Sequence, residues 1–207
     1  MQEPVIIKNL PVTVPDDRIF MRLGRYRHQA EISESQMQYF TGIIADGKRL
    51  CHLAGSWLIV PIFSNDGEVI VVDGGDEFRS QGLAKLLSGC PQMLLFAVTA
   101  GAEIVAAASD AAASGHGAEA LLFDAPGGEA AEAGCGWLQD YVRQQLKRRG
   151  LLVAERRFSP GYGGLALDTQ AIFYRRLHLK TLGLTLLDSG MMVPEKTVTA
   201  IAGISNA

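Results

Sequence analysis

Apolar residues recur along this chain with two different periods. From Pro4 to Val14 apolar and polar positions alternate loosely around two prolines, the pattern of an edge strand. Pro15-Asp16-Asp17 then supplies helix-start signals, and Ile19, Phe20, Leu23 and Tyr26 form the apolar stripe of a helix predicted to reach about His28. Ser33 followed by Gln36 is a capping-box pattern. It opens a second helix with Met37, Phe40, Ile43 and Ile44 on one side and Gly47 as its stop.

The period then shortens. Leu53 to Phe63 and Glu68 to Asp73 are β-rich runs separated by Ser64-Asn65-Asp66-Gly67, whose Asp-Gly pair predicts an antiparallel hairpin. Beyond Asp73-Gly74-Gly75-Asp76, the positions Phe78, Leu83, Leu86 and Leu87 fit a short helix ending near Gly89, and Pro91 starts a buried strand over Met93 to Thr99. Glu103 to about Ser114 is mostly alanine and reads as a closely packed helix, interrupted at Ser114-Gly115-His116-Gly117. A helical stretch follows through Leu122. Another runs from Gly128 to Arg149, with Trp137, Leu138, Tyr141, Val142 and Leu146 at helical spacing and Gly150 as C-cap.

Leu151 to Arg157 reads as a strand, Asp168 to about Leu179 as an amphipathic helix, and Leu184 to Leu187 and Thr197 to Ile204 as strands around a turn at Asp188 to Pro194. Strands and helices mix without βαβ alternation. The expected class is therefore α+β, a largely antiparallel twisted sheet flanked by helices, in one domain over residues 1–207.

Composition narrows the function. A chain with 48% hydrophobic residues and a formal charge of −3 gives no electrostatic case for nucleic acid. The longest apolar runs, Trp57 to Phe63 and Met93 to Val98, are too short to span a bilayer, and no basic region followed by an apolar core opens the chain, so a cytoplasmic location is expected. Cys51, Cys90 and Cys135 are odd in number and form no Cys-x-x-Cys pair, which signals neither a disulfide framework nor a metal site; they read as buried small hydrophobes. With no flavin, heme or cluster signature, any reduction needs an external electron donor.

Candidate chemistry concentrates in Glu155-Arg156-Arg157-Phe158-Ser159-Pro160-Gly161-Tyr162-Gly163-Gly164. The stretch reads either as a structural turn or as a site where Arg157 holds a carboxylate beside Tyr162, on a backbone made approachable by Gly161 and Gly163. Asp188 and Ser189 read either as turn caps or as a wall of the same pocket, and Met191 and Met192 as adaptable core. His28, His52, His116 and His178 have no ligand-like spacing. Asp73-Gly74-Gly75-Asp76 and Ala125-Pro126-Gly127-Gly128 match neither phosphate-loop nor dinucleotide patterns and read as turns. Ser114-Gly115-His116-Gly117 departs from a D-x-H-x-x-G cobalamin signature at both flanks, which rejects a cobalt ligand there.

The Arg157-to-Tyr162 stretch and the later block from Gly183 to Ala200 together resemble the activation domain of cobalamin-dependent methionine synthase. That family carries R-x-x-x-G-Y and G-x-x-L-T-[ED]-S-x-x-M-x-P-x-x-[ST]-V-[ST]. Arg157 and Tyr162 occupy the first motif, and Gly183, Asp188, Ser189, Met192, Pro194 and Val198 the second. Similarity extends to Leu94 to Gly101, to Leu122 to Ala125 and, more faintly, to Phe20 to Tyr26, and it is nearest the short single-domain relatives.

The resemblance implies the activation-domain fold and S-adenosylmethionine held by Arg157, Pro160, Gly161, Tyr162, Gly163, Asp188 and Ser189. It implies an accessory role in reductive methylation of cob(II)alamin, with cobalamin carried by a partner, either a methionine synthase or another corrinoid protein. Asp16, Asp17 and Glu31 are candidates for the family's acidic contact near its N-terminus. No homocysteine-, folate- or cobalamin-binding module accompanies these motifs in the sequence, so the corrinoid must come from elsewhere. The competing reading is a non-catalytic S-adenosylmethionine-binding or docking module; a conventional methyltransferase is disfavoured because no glycine-rich loop links a first strand to a helix.

Overall fold

The computed structural model describes residues 2–24 and 33–206. The strands are β1 Val5–Lys8, β2 Ala54–Asn65, β3 Val69–Val72, β4 Glu77–Arg79, β5 Gln92–Thr99, β6 Leu151–Val153, β7 Thr185–Leu186, β8 Met192–Val193 and β9 Thr197–Asn206. The α-helices are α1 Asp16–Gly24, α2 Glu34–Arg49, α3 Gln81–Leu86, α4 Ala102–Ala113, α5 Gly117–Lys147 and α6 Gln170–Arg176, with 3-10 turns at Leu167–Thr169 and Leu179–Leu182. The result is the expected α+β class. A seven-stranded antiparallel sheet in the order β4-β3-β2-β5-β9-β6, with β1 also paired to β2, is flanked by helices.

The sheet separates two cores, and the alternation of side chains along each strand decides which core a residue enters. On β5, Leu94, Phe96 and Val98 join Leu138, Val142 and Leu146 of α5, while Met93, Leu95 and Ala97 join Phe78, Leu83 and Phe173 on the opposite face. Both faces of β5 are covered, which is why its sequence is an unbroken apolar run. Each large apolar side chain so buried contributes about 1.5–3 kcal/mol.

Several local predictions hold in detail. Ser33 and Gln36 form the reciprocal capping box, and Asp66 Oδ1 accepts from the amides of Glu68 and Val69 to close the β2–β3 hairpin. Gly150 adopts the left-handed conformation past α5, although the C-cap itself is Arg148.

Others are corrected. Phe78 lies in β4, and the short helix begins only after its N-cap Ser80. Gly47 does not stop α2, which runs on to Arg49; a Cβ there would stand 2.9 Å from Pro126 Cγ, so the glycine permits close approach of α2 to α5. Ala125-Pro126-Gly127-Gly128 is not a turn, since α5 continues through it. Proline costs the helix a hydrogen bond, but Pro126 is buried in this contact, and Gly127 leaves room for Ile104 and Lys196. The part of the first predicted helix beyond Gly24, including Tyr26 and His28, lies outside the described residues.

The predicted strand Leu151 to Arg157 is the most consequential correction. The β6 ladder ends at Val153. The Ala154 amide still donates to Gly203 O at 2.9 Å, and the chain returns to the sheet only at Phe158, which exchanges backbone bonds of 2.9 and 2.8 Å with Ile201. Glu155, Arg156 and Arg157 are thus looped out opposite Ala202. Gln139 of α5 stabilises the departure by donating its Nε2 to Ala154 O at 2.6 Å and to Glu155 O at 3.1 Å.

Candidate functional site

A bulge re-aims the side chains it carries, and here it turns Arg157 toward α5. The guanidinium donates to the carboxylate of Glu132 and forms an ion pair with it. The two side chains keep 28% and 46% of their accessible surface, so the pair is partly solvated and adds little to stability. Both charges are reachable from solution. Beneath them the Cys135 thiol is fully buried, and burial pushes its pKa up to about 12, with Arg157 opposing and Glu132 reinforcing the shift.

After Phe158 the chain makes a tight loop. Gly161 N donates to Leu165 O at 2.8 Å and Leu165 N to Tyr162 O at 3.0 Å, with Gly161, Gly163 and Gly164 all at positive φ. Pro160 is buried at the base, while Tyr162 stands 74% exposed at the tip. The Phe158 ring packs so closely under Gly163 that a Cβ there would collide with it.

Asp188 and Ser189 lie at the exposed tip of the β7–β8 hairpin. Leu187 N donates to Met191 O at 2.9 Å, and Gly190 takes the left-handed conformation at the end of the loop. Ser189 Oγ accepts from Met191 N at 3.4 Å, so Ser189 caps its turn. Met192 is core, as expected, but Met191 is 48% exposed; it shares the outward face of the hairpin with Leu187 and Val193.

Leu167 links the two motif loops. A Cβ on Gly190 would stand 3.1 Å from its Cγ, and one on Gly161 3.7 Å from its Cδ1. The loops around Pro160–Gly163 and Asp188–Gly190, well separated in sequence, therefore both meet the same residue, Leu167.

Glu132 is the residue that sequence reasoning missed. Helical periodicity placed it on a long helix, but only the fold could pair it with Arg157, 25 positions away. Of the acidic residues considered for a family contact, Asp16 is engaged by Lys48 at 2.7 Å, Asp17 lies exposed in the first turn of α1, and Glu31 lies outside the described residues. A separate cleft of about 860 Å³ opens between α1 and α5, lined in part by Arg18, Met21, Leu121 and the Arg22–Glu129 ion pair. None of the predicted site residues lines it. Among the described residues no helix is long and apolar enough to cross a membrane.

No protein-family model and no curated protein matches the sequence. Solved structures do match. One, described as the crystal structure of the MetH reactivation domain bound to AdoHcy, superposes with a TM-score of 0.69 over 97% of this chain and 78% of that one, at 16% identity. The chain has the fold of that domain.

Proposed function

We propose that this protein binds S-adenosylmethionine and supports the reductive methylation, and hence reactivation, of cob(II)alamin carried by a separate cobalamin-dependent methionine synthase. The observation that carries the reading is the Arg157–Glu132 pair beside the Phe158–Leu165 loop, in a fold whose solved counterpart is bound to AdoHcy. An α-amino acid end presents a carboxylate and an ammonium on one carbon. Arg157 offers a two-pronged donor for the carboxylate, and Glu132 offers an acceptor for the ammonium. A weakly held surface pair is readily exchanged for these two contacts, because each residue keeps a partner of opposite charge.

The remainder of the ligand would lie along the glycine loop. There the absence of side chains at Gly161 and Gly163 lets it approach backbone, and Tyr162 offers a ring next to the adenosyl group. Asp188 and Ser189, on the other loop that meets Leu167, would close the far side. In this reading the protein contributes proximity and orientation, holding the sulfonium so that its methyl group faces the partner's corrinoid. The methyl group passes from sulfur to cobalt with one electron from an external donor, leaving S-adenosylhomocysteine.

Titration of the purified protein with S-adenosylmethionine tests the binding. A reductive methylation assay, with an inactivated cobalamin-dependent methionine synthase and a chemical reductant, tests the rest. Recovery of activity that requires both this protein and S-adenosylmethionine is expected. Ligand binding without recovery would leave a docking module in its place.

A further inference from the structure

The loop expected to meet the ligand is tied to a distant element by a single side chain. Ser80, 6% exposed, accepts the Leu83 amide at 3.1 Å as N-cap of α3 and donates its hydroxyl to Gly163 O at 3.0 Å, across 83 positions of sequence. The surroundings are shaped for this contact. A Cβ on Gly82 would stand 2.9 Å from Gly163 O and 3.0 Å from Phe158 Cζ, so Gly82 is the space that admits the loop. Without the tie, the segment between Phe158 and Leu165 is held by its own turn bonds, and its three left-handed glycines give it more conformational freedom than any other residue type would.

We infer that Ser80 is a positioning residue: by donating to the Gly163 carbonyl it fixes the Phe158–Leu165 loop, and through it Tyr162, in the conformation that receives S-adenosylmethionine. The inference rests on the proposed ligand. The cap and the tie use different properties of the hydroxyl, since the cap needs an acceptor and the tie needs a donor. Side chains at this position therefore separate the two roles. Asparagine accepts and donates, whereas ionised aspartate accepts only.

Ser80→Asn and Ser80→Asp are compared with the native protein by calorimetric titration of S-adenosylmethionine, urea unfolding, and amide hydrogen exchange at Gly161 and Leu165. Ser80→Asn is expected to bind like the native protein. Ser80→Asp is expected to bind about tenfold more weakly, the loss of one hydrogen bond and the order it imposes, and to exchange faster at both amides. Equal exchange and equal affinity in the two variants overturn the inference, as does a loss of affinity that only tracks stability in urea. If the native protein does not bind S-adenosylmethionine, the ligand reading fails by itself; exchange then still decides whether Ser80 orders the loop, and unchanged exchange in Ser80→Asp overturns that as well.

Discussion

Arg157 donates to the Glu132 carboxylate because Glu155–Arg157 leaves the sheet between the Ala154–Gly203 and Phe158–Ile201 contacts. Had β6 continued in register, alternation would have set the side-chain directions of Arg156 and Arg157. The bulge sets them instead, and places a guanidinium and a carboxylate from distant elements at one exposed point.

Glu132→Gln removes the negative charge that would face an ammonium, leaving only a neutral amide oxygen as acceptor, while preserving shape. S-adenosylmethionine should lose about 1.5–3 kcal/mol of affinity, whereas 5′-methylthioadenosine, which lacks the amino acid end, should bind native and variant protein alike. Paired titrations check this, and equal losses for both ligands would assign Glu132 another role.

Gly163→Ala should destabilise the fold. The residue sits at φ 54°, and a Cβ would drive into the Phe158 ring. The expected cost is about 1–3 kcal/mol in urea unfolding, together with weaker ligand binding, because Phe158 pins the loop to Ile201. Gly115→Ala is the control: its φ is 80° but nothing lies within 4 Å, so the backbone penalty should appear without the steric one.

Gly47→Ala reports on helix packing instead. A methyl group 2.9 Å from Pro126 Cγ must push α2 from α5, and the expected loss is about 1–3 kcal/mol with ligand affinity unchanged. Chemical denaturation and titration on the same sample separate the two effects.

Much of this architecture follows from local signals. The Ser33–Gln36 box, the Asp66-Gly67 hairpin and the buried run of β5 depend on residues close in sequence, and each forms where expected. By contrast, α5 ends at Lys147 with Arg148 as its C-cap, and Gly150 takes the left-handed turn two residues later. What escaped prediction depends on residues far apart. Pro126-Gly127-Gly128 carries breaker signals, yet α5 passes through because Gly47 and Ile104 come from other helices to pack there. The same holds at the site. Arg157, Tyr162 and their glycines were marked by a motif, while Glu132 and Ser80 acquire their contacts only when α5 and α3 are in place.

Cys135 and Cys51 give the stability a basic limb. Burial raises both thiol pKa values from 9.0, to about 12 and about 11. The folded protein therefore holds these protons where the unfolded chain has released them. Their contribution is fully present below pH 9 and is lost as pH rises from there toward 11 and 12. Urea unfolding between pH 8 and 11 should show falling stability, with a shallower slope in Cys135→Ala after allowance for its lost packing.

The most direct test is calorimetric titration of S-adenosylmethionine into the native protein and into Arg157→Ala. Loss of a charge-assisted carboxylate contact should weaken binding by roughly 1.5–3 kcal/mol, tenfold or more. Native binding with that loss is the expected result; identical affinities in the two proteins, or no binding by the native protein, would contradict the assignment of this site.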